Sequence, residues 1–84
     1  MTARRSPGAE IDLLLEIGSE RLAIEIKRTT STKPSRGFHI ASNDVEASSR
    51  WFVHGGDRSF PLPDGVLALT LTDAVARLAQ ASMR

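Results

Sequence analysis

The chain has 84 residues and a net charge of +1, from 11 basic and 10 acidic side chains, which allows one small domain and calls for no polyanionic partner. Cysteine is absent, which excludes disulfides and thiolate metal sites, and no apolar run reaches the ~20 residues of a membrane span or forms a leader near the N-terminus. Hydrophobic residues are 40 % and charged residues 25 %, a globular balance, although ten of the hydrophobics are alanine and leave only a thin core; the expectation is a soluble cytoplasmic domain.

Residues 1–9 are polar, with Ser6-Pro7-Gly8 as a turn signal. Two apolar runs follow, at 11–17 and 22–26, separated by Gly18-Ser19, and predict a β-hairpin over residues 10–27. A polar linker at 29–34 leads to a helix over 35–47, where Phe38, Ala41 and Val45 share one side. Residues 50–54 predict a short strand. The stretch after it holds three glycines and two prolines and predicts an irregular loop. Alternation over 66–71 predicts another strand, and Thr72-Asp73 caps a final helix over 73–82 that turns Val75, Leu78, Ala79 and Ser82 to one face. The order β-β-α-β-β-α predicts an α/β fold, a mixed sheet of four or five strands flanked by helices, in one domain covering residues 1–84.

The hairpin constrains its own carboxylates. With Gly18 and Ser19 as the loop, Glu16 pairs with Arg21, Leu14 with Ala23, Asp12 with Glu25 and Glu10 with Lys27. One face then carries Glu10, Asp12, Leu14 and Glu16 against Lys27, Glu25, Ala23 and Arg21. The other is apolar, and a slip by one residue would mix the two faces. Asp12 and Glu25 stand opposite each other in this register, which destabilises a sheet unless a positive group intervenes. Lys27 is one such group; a hard divalent cation held by the carboxylates is another. Two carboxylates, a metal and a lysine together suit phosphodiester hydrolysis, the metal polarising a phosphoryl oxygen and the lysine orienting or deprotonating water. The plain alternative is a charged, solvated hairpin face with a surface Lys–Glu contact of small energetic value.

The residues Gly8-Ala9-Glu10-Ile11-Asp12, a strand, a turn and Ala23-Ile24-Glu25-Ile26-Lys27 resemble the second and third motifs of the PD-(D/E)XK nuclease superfamily. More closely, the chain resembles the uncharacterised nuclease-like domain that follows the ATPase module in a large group of bacterial and archaeal AAA+ proteins. Pro34-Ser35-Arg36-Gly37-Phe38, Gly56-Asp57 and Asp64-Gly65-Val66 match that domain in the same order. The resemblance implies a truncated restriction-endonuclease-like fold. It implies Asp12, Glu25 and Lys27 as catalytic residues, with Asp12, Glu25 and Glu10 as ligands of Mg²⁺ or Mn²⁺, and DNA as substrate. In that superfamily a helix and a strand precede the first of these motifs, whereas here nine residues precede Glu10, so at most a fragment of the strand is expected. A sheet without that helix would leave an apolar face for a partner: a second copy of the chain, giving a dimer, or an ATPase acting in trans. The alternative function is a catalytically inactive remnant that serves an ATPase system as a protein-binding or oligomerisation module.

Between Ile26 and Asn43 no acid occurs, while Arg28, Lys33 and Arg36 do, which suits contacts to the phosphates flanking a scissile bond. His39 and His54 have no catalytic partner at motif spacing and are read as structural or surface residues. Trp51 and Phe52 are read as core. Gly55-Gly56-Asp57 lacks the Lys-Ser/Thr of a phosphate-binding loop, and no nucleophile motif surrounds Ser6, Ser19, Ser31 or Ser35.

Overall fold

The computed structural model describes residues 2–4, 11–27 and 33–82. Within them the elements run β1 (Thr2–Arg4), β2 (Leu13–Ile17), β3 (Glu20–Ile26), α1 (Arg36–Asp44), β4 (Ser49–His54), β5 (Phe60–Pro61), β6 (Val66–Thr70) and α2 (Leu71–Ser82). They build one six-stranded mixed sheet in the order β1-β2-β3-β4-β6-β5. β3, β4 and β6 are parallel; β1 and β2 on one side and β5 on the other add antiparallel pairs. The α/β class and the expected long elements are present. β1, in the polar N-terminal segment, is no more than the strand fragment allowed for there, and β5, inside the stretch read as irregular loop, exceeds the expected set. Pro61 fits there because β5 is an edge strand, where a missing N–H breaks no ladder.

Side chains alternate across the sheet and form two cores. On one face Leu14, Ala23, Phe52, Val66 and Ala68 meet Phe38, Ala41 and Val45 of α1. On the other Leu15, Leu22, Ile24, Val53 and Leu69 meet Ala74 and Leu78 of α2. The α1 side was legible from its spacing. In α2, which begins at Leu71, the inward residues are Ala74 and Leu78, while Val75 is 57 % exposed, so the helix docks on the stripe one position away from the expected one. Both faces of the sheet therefore carry a helix, in place of the bare apolar face expected. Among the described residues the exposed large apolar side chains are Ile26, Ile40, Leu71 and Val75.

The hairpin register is the expected one from Leu13–Ile24 to Ile17–Glu20, and Gly18 turns it with φ of +61°. It stops short of the carboxylates. The N–H of Asp12 donates to the carbonyl of Ile24 at 3.0 Å, so Asp12 and Leu13 both stand against Ile24. Such a two-against-one offset reverses the alternation. Ile11 accordingly packs in the α1-side core with Leu14, not with Leu13 and Leu15. Asp12 is thus not the cross-strand partner of Glu25.

Candidate active site at the carboxyl end of β3

Glu25 and Lys27 lie where β3 ends, with Asp12 bonded to the backbone of Ile26 between them, beside the carboxyl ends of the parallel neighbours β4 and β6. Crevices at that edge of α/β sheets are the usual place for ligands. The offset that removes Asp12 from the ladder turns its carboxylate back onto β3. Oδ2 accepts the N–H of Ile26 at 2.7 Å, replacing the ladder bond that β2 no longer supplies. Ile26 is the middle residue of Glu25-Ile26-Lys27, so this one bond anchors the Asp12 carboxylate on the backbone between the other two residues.

Glu25 shares the face of Ala23 and lies under the start of α1, 5 % exposed. The expected solvated face is buried here because α1 crosses it. A buried carboxylate requires partners. The N–H of Ser35 donates to Oε2 at 3.0 Å, and the ammonium of Lys27 stands 3.9 Å from Oε1. Ser35 is the N-cap of α1, its Oγ accepting the N–H of Phe38 at 3.0 Å. The first turn of α1 holds no acid of its own, so Glu25 supplies the anion that the helix N-terminus favours. Lys27 is 38 % exposed at its side chain, and its backbone N–H holds β4 through the carbonyl of Val53 at 2.8 Å. Lys33 and Arg36 are exposed on either side of Pro34-Ser35, at the same end of α1. Glu10 and Arg28 lie outside the described residues.

Several groups that the sequence did not single out organise this edge. At the far end of β3 the guanidinium of Arg21 donates to the carbonyl of Val45, the C-cap of α1, at 2.8 Å. β3 thereby meets the positive end of the α1 dipole with an acid and the negative end with a base. The spacing of Arg21, Ala23, Glu25 and Lys27 on one strand face was the available signal, but it meant nothing until α1 was known to cross that face. His54 ends β4, buried, with its Nδ1 accepting the N–H of Gly56 at 2.9 Å. A Cβ on Gly56 would stand 2.9 Å from that nitrogen, so glycine is required there. At the end of β6, Thr70 caps α2 by accepting the N–H of Asp73 at 3.1 Å. Ser59 bridges the two, donating to Asp73 Oδ2 and accepting the N–H of Thr70 at 3.0 Å. This is a capping box with a serine inserted, and Thr70 and Asp73 at i and i+3 were its sequence signal.

Among the described residues no three His, Asp or Glu side chains converge as a metal cage. Asp12 and Glu25 are oxygen ligands of the kind a magnesium-type ion takes, one or two at a time with water in its other positions. Each carboxylate also retains acceptor sites beyond the backbone N–H it holds.

The pattern of the domain of unknown function DUF4143 matches residues 3–74, most of the chain and both halves of the site's scaffold. The chain belongs to the DUF4143 family. Two curated relatives are the uncharacterized protein Rv2008c of Mycobacterium tuberculosis and the uncharacterized protein Mb2031c of Mycobacterium bovis. Each is 35 % identical over 66 residues, which is 79 % of this chain and 15 % of the relative. The DUF4143 chain described here thus corresponds to a small part of those proteins. No solved structure matches it.

Proposed function

We propose that this DUF4143 chain is a metal-dependent hydrolase of DNA phosphodiesters, with Asp12, Glu25 and Lys27 at its centre. The observation that carries the reading is the Asp12–Ile26 bond, which sets one carboxylate against a strand end where Lys27 stands 3.9 Å from a second, buried one. The resemblance of the same residues to PD-(D/E)XK motifs supports it. Asp12 and Glu25 would hold Mg²⁺ or Mn²⁺, which when bound polarises a phosphoryl oxygen and acidifies water. Glu25, fixed by Ser35 and shielded by α1, presents a ligand that needs no rearrangement. Lys27 is open enough to reach solvent and sits close enough to Glu25 to balance charge and orient the attacking water. Lys33 and Arg36 contact the flanking phosphates. Arg36 begins α1, where a cation is disfavoured by the helix dipole and favoured by a bound anion.

A second reading has its own observation. Asp12 and Glu25 each hold a backbone N–H, so both have structural work without any metal. The chain would then be an inactive scaffold that binds a partner, either a second copy or an ATPase acting in trans, through the exposed Ile26, Leu71 and Val75. No helix of the described residues is long and apolar enough to cross a membrane.

Melting with added Mg²⁺ or Mn²⁺, beside Asp12→Asn, separates the two. A ligand that binds only the folded state raises the melting temperature with its concentration. The hydrolytic reading requires a rise in the parent that Asp12→Asn abolishes, together with metal-dependent cleavage of DNA. Equal curves for both proteins and intact DNA leave the scaffold reading.

A further inference from the structure

A cleft of about 580 Å³ opens beside the site, between the start of α1 and the β5–β6 turn. Its volume is within the ~300–1,000 Å³ of small-ligand sites. Pro34, Phe60 and Leu62 form apolar walls, Lys33 stands at one mouth, and His39 and Asp64 stand at the rim. His39 Nε2 and Asp64 Oδ2 are 3.9 Å apart, polar groups side by side at the cleft. The fit is to a flat apolar ligand with an anion at one end and a hydrogen-bonding edge at the other. The cleft borders the site through Pro34, which lines it and precedes Ser35, the residue whose N–H is on Glu25. The Phe60 ring stands 5.6 Å from that of His54, whose buried Nε2 has no partner among the described residues. The His54 Nδ1 accepts the Gly56 N–H, and Nε2 lies one ring beyond the cleft wall.

We propose that this cleft receives one unpaired base of the nucleic acid whose phosphate lies at Asp12, Glu25 and Lys27, so that the substrate is single-stranded or locally unpaired there. The proposal rests on the hydrolytic reading for the position of the phosphate. A base inside a duplex has both faces covered by its neighbours and cannot use apolar walls; an unstacked base can lie on Phe60. Lys33 and Arg36 take the adjoining phosphates. Asp64 accepts from an exocyclic amine, which favours adenine or cytosine over thymine.

Binding is read by fluorescence anisotropy of a labelled oligodeoxyadenylate in chelator, with no turnover. The same strand annealed to oligothymidylate serves as the duplex, and labelled oligothymidylate as the base control. The single strand binds more tightly than the duplex. Phe60→Leu, which keeps apolar volume and removes the ring, weakens the single strand roughly tenfold and leaves the duplex unchanged. Asp64→Ala, at an exposed position with little folding risk, weakens oligodeoxyadenylate and not oligothymidylate. Equal affinity for both forms, indifference to both variants, or no binding of either strand overturns the proposal. Cleavage of duplex DNA beside variant-insensitive binding would remove the cleft and leave the hydrolase. Variant-sensitive binding without metal-dependent cleavage would leave the cleft and remove the hydrolase.

Discussion

The two ends of β3 perform the same task on α1 with opposite charges, and they differ in what remains afterwards. At the amino end, the Arg21 guanidinium meets the Val45 carbonyl. Arg21 and Ser48 also exchange bonds, the Arg21 N–H donating to Ser48 Oγ at 3.0 Å and the Ser48 N–H to the Arg21 carbonyl at 2.9 Å. That junction is a clamp in which each of these groups has a partner. At the carboxyl end, Glu25 meets the Ser35 N–H, but it does so buried, with Lys27 close by and Asp12 drawn in through Ile26. Holding a helix end requires one anion; this end has Glu25 for that task, with Lys27 close by and Asp12 on the adjacent backbone. On the hydrolytic reading it is this surplus, not the clamp, that carries the function.

The sharpest way to break that contrast is at Glu25. Glu25→Gln keeps an oxygen for the Ser35 N–H and removes the charge. On the hydrolytic reading, metal-dependent cleavage falls to background and the metal-induced rise in melting temperature disappears, while the metal-free protein still folds. Glu25→Ala also leaves the Ser35 N–H and Lys27 without their partner, at a cost of about 1–3 kcal/mol. For a domain of this size 1 kcal/mol is about 4–8 °C of melting temperature, so circular dichroism resolves the two variants. If Gln preserves cleavage, Glu25 belongs only to the clamp. Lys27→Met comes next: cleavage drops on the order of 10²–10⁴-fold in a single-turnover assay, with the metal response retained.

How far these groups could be read in advance follows from what each depends on. The hairpin register was legible because Gly18-Ser19 and the alternation of Leu13, Leu15 and Leu22 with their neighbours allow one pairing that keeps a face apolar. Phe38, Ala41 and Val45 gave the buried side of α1 for the same reason. Where Asp12 points was not legible, because it depends on a backbone bond to Ile24 that slips the alternation by one residue and that no side-chain pattern encodes. β1 and β5, at three and two residues, are too short to show a period. In α2, Val75 and Ala74 both stand at helical spacing from Leu78, and only packing against the sheet chooses between them. The candidate site residues were named from the hairpin pairing and a motif resemblance; that Glu25 is buried depended on α1 crossing its face.

Ser35→Ala tests the carboxyl-end junction without touching the charged groups. It removes the N-cap bond to Phe38 at a cost of about 0.5–2 kcal/mol, yet leaves the backbone N–H that holds Glu25. Thermal melting should show the loss. Cleavage per folded molecule should change little, because the cap hydroxyl contacts the helix and not the carboxylates. A collapse of cleavage out of proportion to stability would mean that the start of α1 positions Glu25 more tightly than the Ser35 N–H alone explains.

The smallest effect belongs to the amino end. Arg21→Met keeps much of the apolar stem and deletes the guanidinium that meets the Val45 carbonyl. An exposed cation at a helix C-terminus contributes about 0.3–1 kcal/mol at low ionic strength, and salt screens it. The variant should therefore melt a few degrees below the parent in dilute buffer, and the gap should narrow as salt is added. Neither the metal response nor cleavage should move, since Arg21 lies at the opposite end of β3 from Asp12 and Lys27. Glu25→Ala, by contrast, should retain most of its stability loss at high salt, because a buried carboxylate is screened much less than an exposed guanidinium. A salt-independent loss in Arg21→Met would show that its backbone exchange with Ser48, not the charge on the helix end, is what this junction contributes.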